Sequence, residues 1–182
     1  MSRIQPIDPA AATGKTRELF DSIKGALGGV PNVFRVTGQS PAALGALWGV
    51  FGAMNSASIP ASLREQIALS VGETNGCDYC VAAHSVLGKH AGLRDADVQA
   101  ARHGNAADPK AAAALAFASA VLEHKGHVRD ADLAAVRAAG YSDAQVMEIV
   151  AAVVQNVFTN WVNHVAQTPV DFPAAPALAG VA

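Results

Sequence analysis

Apolar residues recur along most of this chain at intervals of three and four, the spacing that gathers them on one side of a helix. Leu63, Ile67 and Val71 follow Pro60 in this way. So do Val146, Ile149, Val150 and Val153 after Ser142, and Leu44, Leu47, Trp48, Phe51 and Met54 after Ser40-Pro41. Start signals precede these runs. Asp8-Pro9, Ser40-Pro41 and Asp108-Pro109 each pair an N-cap residue with proline at the first helical position, and Ser142…Gln145 has the form of a capping box. Gly92, Gly104, Gly126 and Gly140 stand where helices should stop. The pattern predicts helices over 9–26, 31–37, 41–57, 60–74, 77–91, 94–103, 109–125, 129–139 and 142–167. No stretch alternates apolar and polar positions as a half-buried strand would. The expectation is an all-α chain.

Composition strengthens that reading. Hydrophobic residues make up 51% of the 182, yet only 5% are aromatic. Ala dominates the remainder, and Ala loses no side-chain entropy on entering a helix. The length suits one domain, expected to span 1–182 with an extended tail over 168–182, where Thr-Pro-Val-Asp-Phe-Pro-Ala-Ala-Pro carries too many prolines for a helix. That tail is expected to lie across this subunit or a neighbour and to end in a loose Ala/Gly terminus. Helices so rich in Ala bury modest area alone, which predicts a homo-oligomer. Arg94-Asp-Ala-Asp and Arg129-Asp-Ala-Asp repeat one helix-start pattern. Two copies read as acidic first turns rather than as a solenoid, which needs three or more repeats.

Charge narrows the function. The formal net charge is −2 with both signs interspersed, so a clustered basic face for nucleic acid or an anionic membrane is not expected. No apolar run approaches a membrane span, and Met-Ser-Arg-Ile-Gln-Pro has no basic-then-apolar leader pattern. The expectation is a cytoplasmic protein.

The chemistry is expected at Glu65…Cys77-Asp-Tyr-Cys80-x-x-x-His84. The only two cysteines are three apart, and a disulfide closing so short a loop stabilises little. In a reducing compartment such a pair points to redox chemistry or metal binding. At about 100° per residue, Cys77, Cys80 and His84 fall within an arc of ~60° on one helix. Asn75-Gly76 is a break signal, which puts Cys77 in a first turn, where the positive helix pole favours a nucleophilic thiolate. His84, one turn beyond Cys80, is placed to shuttle its proton. On one straight helix Glu65 would lie ~18 Å from Cys77. A reversal at Asn75-Gly76 instead folds its helix back and brings the carboxylate to His84, giving a carboxylate–histidine–thiol relay. The competing readings are a zinc staple with His90 as a fourth candidate, a buried pair of small hydrophobes, and a surface Glu65 paired with Arg64 or Arg17. His90, His103, His124 and His127 read as solvated helix-end residues. Asn156, Asn160 and Asn163 share one helix face and read as interhelical hydrogen-bonding groups, with a role in substrate binding as the alternative.

Glu-x11-Cys-x-x-Cys-x-x-x-His resembles the active-site signature of AhpD-like alkylhydroperoxidases in the carboxymuconolactone decarboxylase superfamily. Gly29-Val-Pro-Asn-Val-Phe34, Ser40-Pro41-Ala42, Asn156-x-x-x-Asn160-x-x-Asn163-His164-Val165 and Val170-Asp171-Phe172-Pro173 resemble its branch of peroxidase-related enzymes. The resemblance implies an AhpD-like helical fold whose central antiparallel hairpin carries the Cys-x-x-Cys site. It implies a hydroperoxide substrate, no cofactor or metal, trimers or hexamers, and a lipoamide- or thioredoxin-like dithiol as reductant. Carried over by position, Cys80 is the peroxidatic thiol, Cys77 the resolving thiol, and Glu65 with His84 the proton relay. One residue departs from the pattern: AhpD has a histidine before its second cysteine, where this chain has Tyr79. With a reference pKa of ~10 a tyrosine is no base near neutrality, so Tyr79 is expected to wall the pocket or donate a hydrogen bond to substrate or relay. The same scaffold leaves open a thiol–disulfide oxidoreductase or redox sensor, a carboxymuconolactone decarboxylase-like enzyme, and a zinc-stapled structural module.

Overall fold

A computed structural model describes residues 2–178, and the expected Ala/Gly terminus at 179–182 lies outside the described residues. Nine helices and no strand occur among the described residues. They are α1 (Gly14–Leu27), α2 (Asn32–Thr37), α3 (Pro41–Met54), α4 (Ala61–Thr74), α5 (Asp78–His90), α6 (Asp95–Arg102), α7 (Pro109–Glu123), α8 (Asp130–Ala138) and α9 (Asp143–Ala166). Three of the four expected caps form. Ser40 Oγ accepts from Ala43 N–H, the Asp108 carboxylate accepts from Lys110 and Ala111, and Ser142 and Gln145 close a reciprocal capping box. Each such cap stabilises its helix by about 1 kcal/mol. The two echoed segments are likewise twin capping boxes, with Asp97 bonded to Arg94 and Asp132 to Arg129.

The first helix starts later than the sequence predicts. Asp8 caps an isolated turn, its carboxylate accepting from Ala10 N–H and its carbonyl from Ala11 N–H. The helix begins only at Gly14, which at φ +54° stands outside helical geometry. The third helix stops at Met54 rather than 57, because Asn55, Ser56 and Ala57 turn back onto the carbonyls of Phe51 to Met54.

Helix α4 is the hub, packed against α5, α6, α7 and α9. On one side, Leu63, Ile67 and Val71 join α7, α8 and α9 in a core that includes Leu115, Val136 and Ile149. A second core unites α1, α2, α3 and α5 through Phe20, Ile23, Phe34, Leu44, Leu47 and Cys80. Helix α9 lies along both, and it exposes Met147, Val154, Trp161 and Val165 on its outer side. No helix among the described residues is long and apolar enough to cross a membrane.

The tail is extended as predicted and crosses this subunit. The Asp171 carboxylate accepts from the Asn32 backbone N–H at 2.8 Å and from the Tyr79 hydroxyl at 2.7 Å. Phe172 stands edge-on to the Tyr79 ring, and Arg102 Nη1 donates to the Pro176 carbonyl at 2.6 Å. These ties hold the tail against α2, α5 and α6.

Candidate active site

The site is a reversal between two helices. Cys77 N–H donates to the Gly72 carbonyl at 2.8 Å and Gly76 N–H to Glu73 at 3.0 Å, the paired bonds that close a helix through a left-handed residue. Gly76 supplies that residue at φ +64°, where a side chain would cost about 1–2 kcal/mol. Cys77 then serves both helices. Its backbone caps the end of α4, and its sulfur, at the N-cap of α5, accepts from Cys80 N–H at 3.3 Å. The two helices approach closely at Gly72, where an added Cβ would come into contact with Cys80 Cβ and Val81 Cγ2, each at 3.4 Å.

The reversal assembles the four expected residues. Cys77 and Cys80 form a disulfide with their Cα atoms 5.3 Å apart, and each is only 2% exposed. One turn on, His84 Nδ1 meets Glu65 Oε2 at 2.7 Å, the histidine buried and the carboxylate reaching it from the middle of α4. The alternative partners of Glu65 are otherwise engaged: Arg64 donates to the Met54 carbonyl and Arg17 pairs with Asp21. Among the described residues no group of three or more His, Cys, Asp or Glu is arranged to hold a metal ion, and His90 is exposed at the end of α5.

The two sulfurs open in different directions. Cys80 and His84 line a cavity of about 170 Å³ walled chiefly by Val33, Phe34, Phe51, Ala83 and Phe172. Cys77 instead borders two more polar clefts of about 410 and 380 Å³, one under the tail beside Glu73, Asp78 and Arg102, the other beside His164 and Gln167. The stripe on α3 is therefore core at Leu44, Leu47 and Met54 and cavity wall at Phe51.

Tyr79 does not serve the relay. Its hydroxyl donates to Asp171 and accepts from Val33 N–H at 3.2 Å, so it ties α5 to α2 and the tail while its ring lines the cavity. Burial, and then the bond to Asp171, push its phenol above the ordinary tyrosine range. A tyrosine held this way is a strut.

Asn163 is the residue that helical spacing alone does not single out. Asn160 makes the expected interhelical bond, accepting from Asn75 Nδ2 at 2.7 Å, and Asn156 folds back onto the Ala152 carbonyl. Asn163 Nδ2 donates instead to Cys80 Sγ at 3.3 Å and lies 3.8 Å from Cys77 Sγ. The shared face of the three asparagines was the available signal; their partners are set by how α9 packs on α5.

The carboxymuconolactone decarboxylase family model matches residues 41–123, a span from the first residue of α3 to the last of α7 that contains Glu65, both cysteines and His84. No curated protein sequence gives a significant match. Among solved structures, the AhpD-core, uncharacterized peroxidase-related protein from Ralstonia eutropha JMP134 superposes with a TM-score of 0.84 at 23% identity, covering 93% of this chain and 92% of that one. The debrominase Bmp8, as a variant in complex with 2,3,4-tribromopyrrole, gives 0.79 at 23% identity over 94% and 92%. An uncharacterized peroxidase-related protein from Silicibacter sp. TM1040 gives 0.78 at 20% identity over 92% of each chain. Identities this low speak for the fold, which is the AhpD-like one, while the family match falls on the hairpin itself. The chain thus has the AhpD-like fold, and its residues 41–123, which carry the hairpin, are similar to the carboxymuconolactone decarboxylase family.

Proposed function

We propose that this protein is a thiol-dependent peroxidase that reduces organic hydroperoxides through Cys77 and Cys80. The observation that carries this reading is the 2.7 Å Glu65–His84 bond, whose histidine lines an apolar cavity together with Cys80. Substrate chemistry there needs a nucleophilic sulfur, a proton source for the leaving oxygen, and apolar walls for the organic group. All three side-chain types converge on that cavity, whereas Cys77 borders the polar clefts.

In this reading the Cys80 thiolate attacks the terminal peroxide oxygen and the O–O bond breaks. The electron pair leaves on the alkoxide, which takes a proton from His84, and Cys80 becomes a sulfenic acid. Glu65 stabilises the imidazolium before that transfer. Cys77 then attacks the Cys80 sulfur; hydroxide leaves and, with the Cys77 proton, becomes water. An external dithiol, lipoamide- or thioredoxin-like, returns the disulfide to two thiols by exchange.

Stopped-flow reduction of cumene hydroperoxide with dihydrolipoamide tests this in wild type, Cys80→Ser and Cys77→Ser. Turnover should vanish in both variants, with a trappable sulfenic acid in Cys77→Ser alone. Equal peroxide consumption by wild type and the double variant sinks the proposal. Disulfide exchange without peroxide turnover would make the protein an oxidoreductase or sensor. Release of bromide from 2,3,4-tribromopyrrole, with hydroperoxide untouched, would make it a reductive dehalogenase.

A further inference from the structure

The side chain of Asn163 has its amide nitrogen against sulfur and its amide oxygen unpartnered. It is 5% exposed, its Nδ2 faces both sulfurs, and its Oδ1 has no hydrogen-bond partner among the protein atoms. A buried carbonyl left unpaired costs roughly 1–3 kcal/mol, so its retention beside a reactive sulfur calls for a role. Asn163 also borders the apolar cavity of Cys80 and one of the clefts beside Cys77, which places it between the two thiols. His84 Nδ1 is engaged with Glu65 Oε2, and as the imidazolium of the proposed cycle His84 is a donor and no acceptor for the substrate's own O–H.

We infer that Asn163 is a catalytic residue: its carboxamide N–H groups hold negative charge on Cys80 Sγ, and its Oδ1 accepts the hydroperoxide O–H and sets the terminal oxygen against that sulfur. The inference rests on the peroxidase reading for its second half only. Nitrogen and oxygen of one carboxamide are about 2.3 Å apart, so a donor seated on Cys80 Sγ leaves the acceptor within reach of an oxygen ~3–3.5 Å from the same sulfur, the separation of a reactive encounter. The cycle balances without moving a proton through Asn163. The terminal oxygen keeps its hydrogen as it passes to sulfur, the sulfenic O–H donates to the same Oδ1, and the alkoxide takes its proton from His84. The N–H groups that met the thiolate then face the sulfur of a neutral sulfenic acid, so their favourable contact is greatest before and during attack.

Two rates measured on the reduced full-length chain in a Cys77→Ser background separate these roles. Alkylation of Cys80 by iodoacetamide needs the thiolate alone; oxidation by cumene hydroperoxide needs the thiolate and the oriented oxygen. In Asn163→Ala, loss of the charge-assisted bond should slow alkylation about tenfold or more, and loss of the neutral bond as well should slow oxidation a further roughly twofold to tenfold. Asn163→Asp keeps an acceptor but sets a like charge beside the thiolate, and should slow both. Asn163→Ser serves as the second variant if alanine unfolds the chain, and it should show the same fall in the oxidation-to-alkylation ratio. An unchanged ratio in the folded variants overturns the orienting role, and unchanged alkylation overturns the thiolate role. If the Asn163-intact parent itself ignores hydroperoxide, the peroxidase reading fails, while the alkylation series still decides whether Asn163 holds the thiolate.

Discussion

Replacing Glu65 with glutamine isolates the charge of the relay from its shape. Glutamine keeps an oxygen able to accept from His84 Nδ1, now 2.7 Å from Glu65 Oε2, and it fits the same space on α4. What disappears is the negative charge beside an imidazolium. Charge-assisted hydrogen bonds contribute about 1.5–3 kcal/mol against about 0.5–1.5 for neutral ones. The His84 side chain is 10% exposed and that of Glu65 21%, so solvent screens little of the difference and about 1–1.5 kcal/mol is lost when His84 carries the proton. At 1.36 kcal/mol per factor of ten, Glu65→Gln should slow peroxide attack about fivefold to tenfold. The assay is the second-order oxidation of reduced enzyme by cumene hydroperoxide in a single turnover, with circular dichroism and thermal unfolding as controls. Glu65→Leu, which leaves the buried His84 with no partner, should cost more than Glu65→Gln. A wild-type rate in a folded Glu65→Gln protein would remove the carboxylate from the mechanism.

Two further predictions concern the supports of the site. Because burial and Asp171 raise the Tyr79 phenol above its ordinary 10.0, the folded chain keeps that proton where the unfolded chain loses it. Stability from this group is whole below pH 10 and should fall by about 1.4 kcal/mol per pH unit above it. Tyr79→Phe should therefore lose about 1–2 kcal/mol at pH 7, from the missing bond to Asp171, yet show a shallower decline between pH 10 and 11 in urea unfolding; parallel curves would contradict the assignment. Glu73→Gln strips the charge partner from Arg102, whose side chain is 6% exposed and bonded to Glu73 at 2.7 Å. With Glu73 itself 28% exposed, the cost should fall at about 2–3 kcal/mol, below the range for a fully buried pair. It should appear as a lower urea midpoint with an unchanged slope, and an unshifted midpoint would count against it.

Much of the site was legible because its signals are local. The Asn75-Gly76 break, the three-residue cysteine spacing and the next-turn histidine all lie within one hairpin. Once the chain reverses there, Glu65 has only one place to go. Other features depend on packing that no local pattern encodes. Tyr79 and Asp171 are 92 residues apart, and Asn163 is 83 from Cys80. Helical spacing placed the three asparagines on one face, but only the crossing of α9 over α5 decides that Asn160 meets Asn75 and Asn163 meets sulfur. The error at Asp8 was of another kind. An Asp-Pro pair starts an isolated turn as readily as a helix, and the choice was made by Gly14 in its left-handed conformation.

The disulfide stands as a partition, with an apolar chamber on the Cys80 side and wetter openings on the Cys77 side. An enzyme that oxidises and re-reduces one sulfur pair commonly makes its two co-substrates compete for a single entrance. In the proposed cycle the oxidising and reducing half-reactions would approach from different sides, so an apolar molecule lodged at Cys80 would leave the clefts beside Cys77 free. The tail that Asp171 and Pro176 tie down borders both sides, with Val170 and Pro176 lining a Cys77 cleft and Phe172 walling the Cys80 chamber, so in the proposed cycle loosening it would alter attack and recovery together.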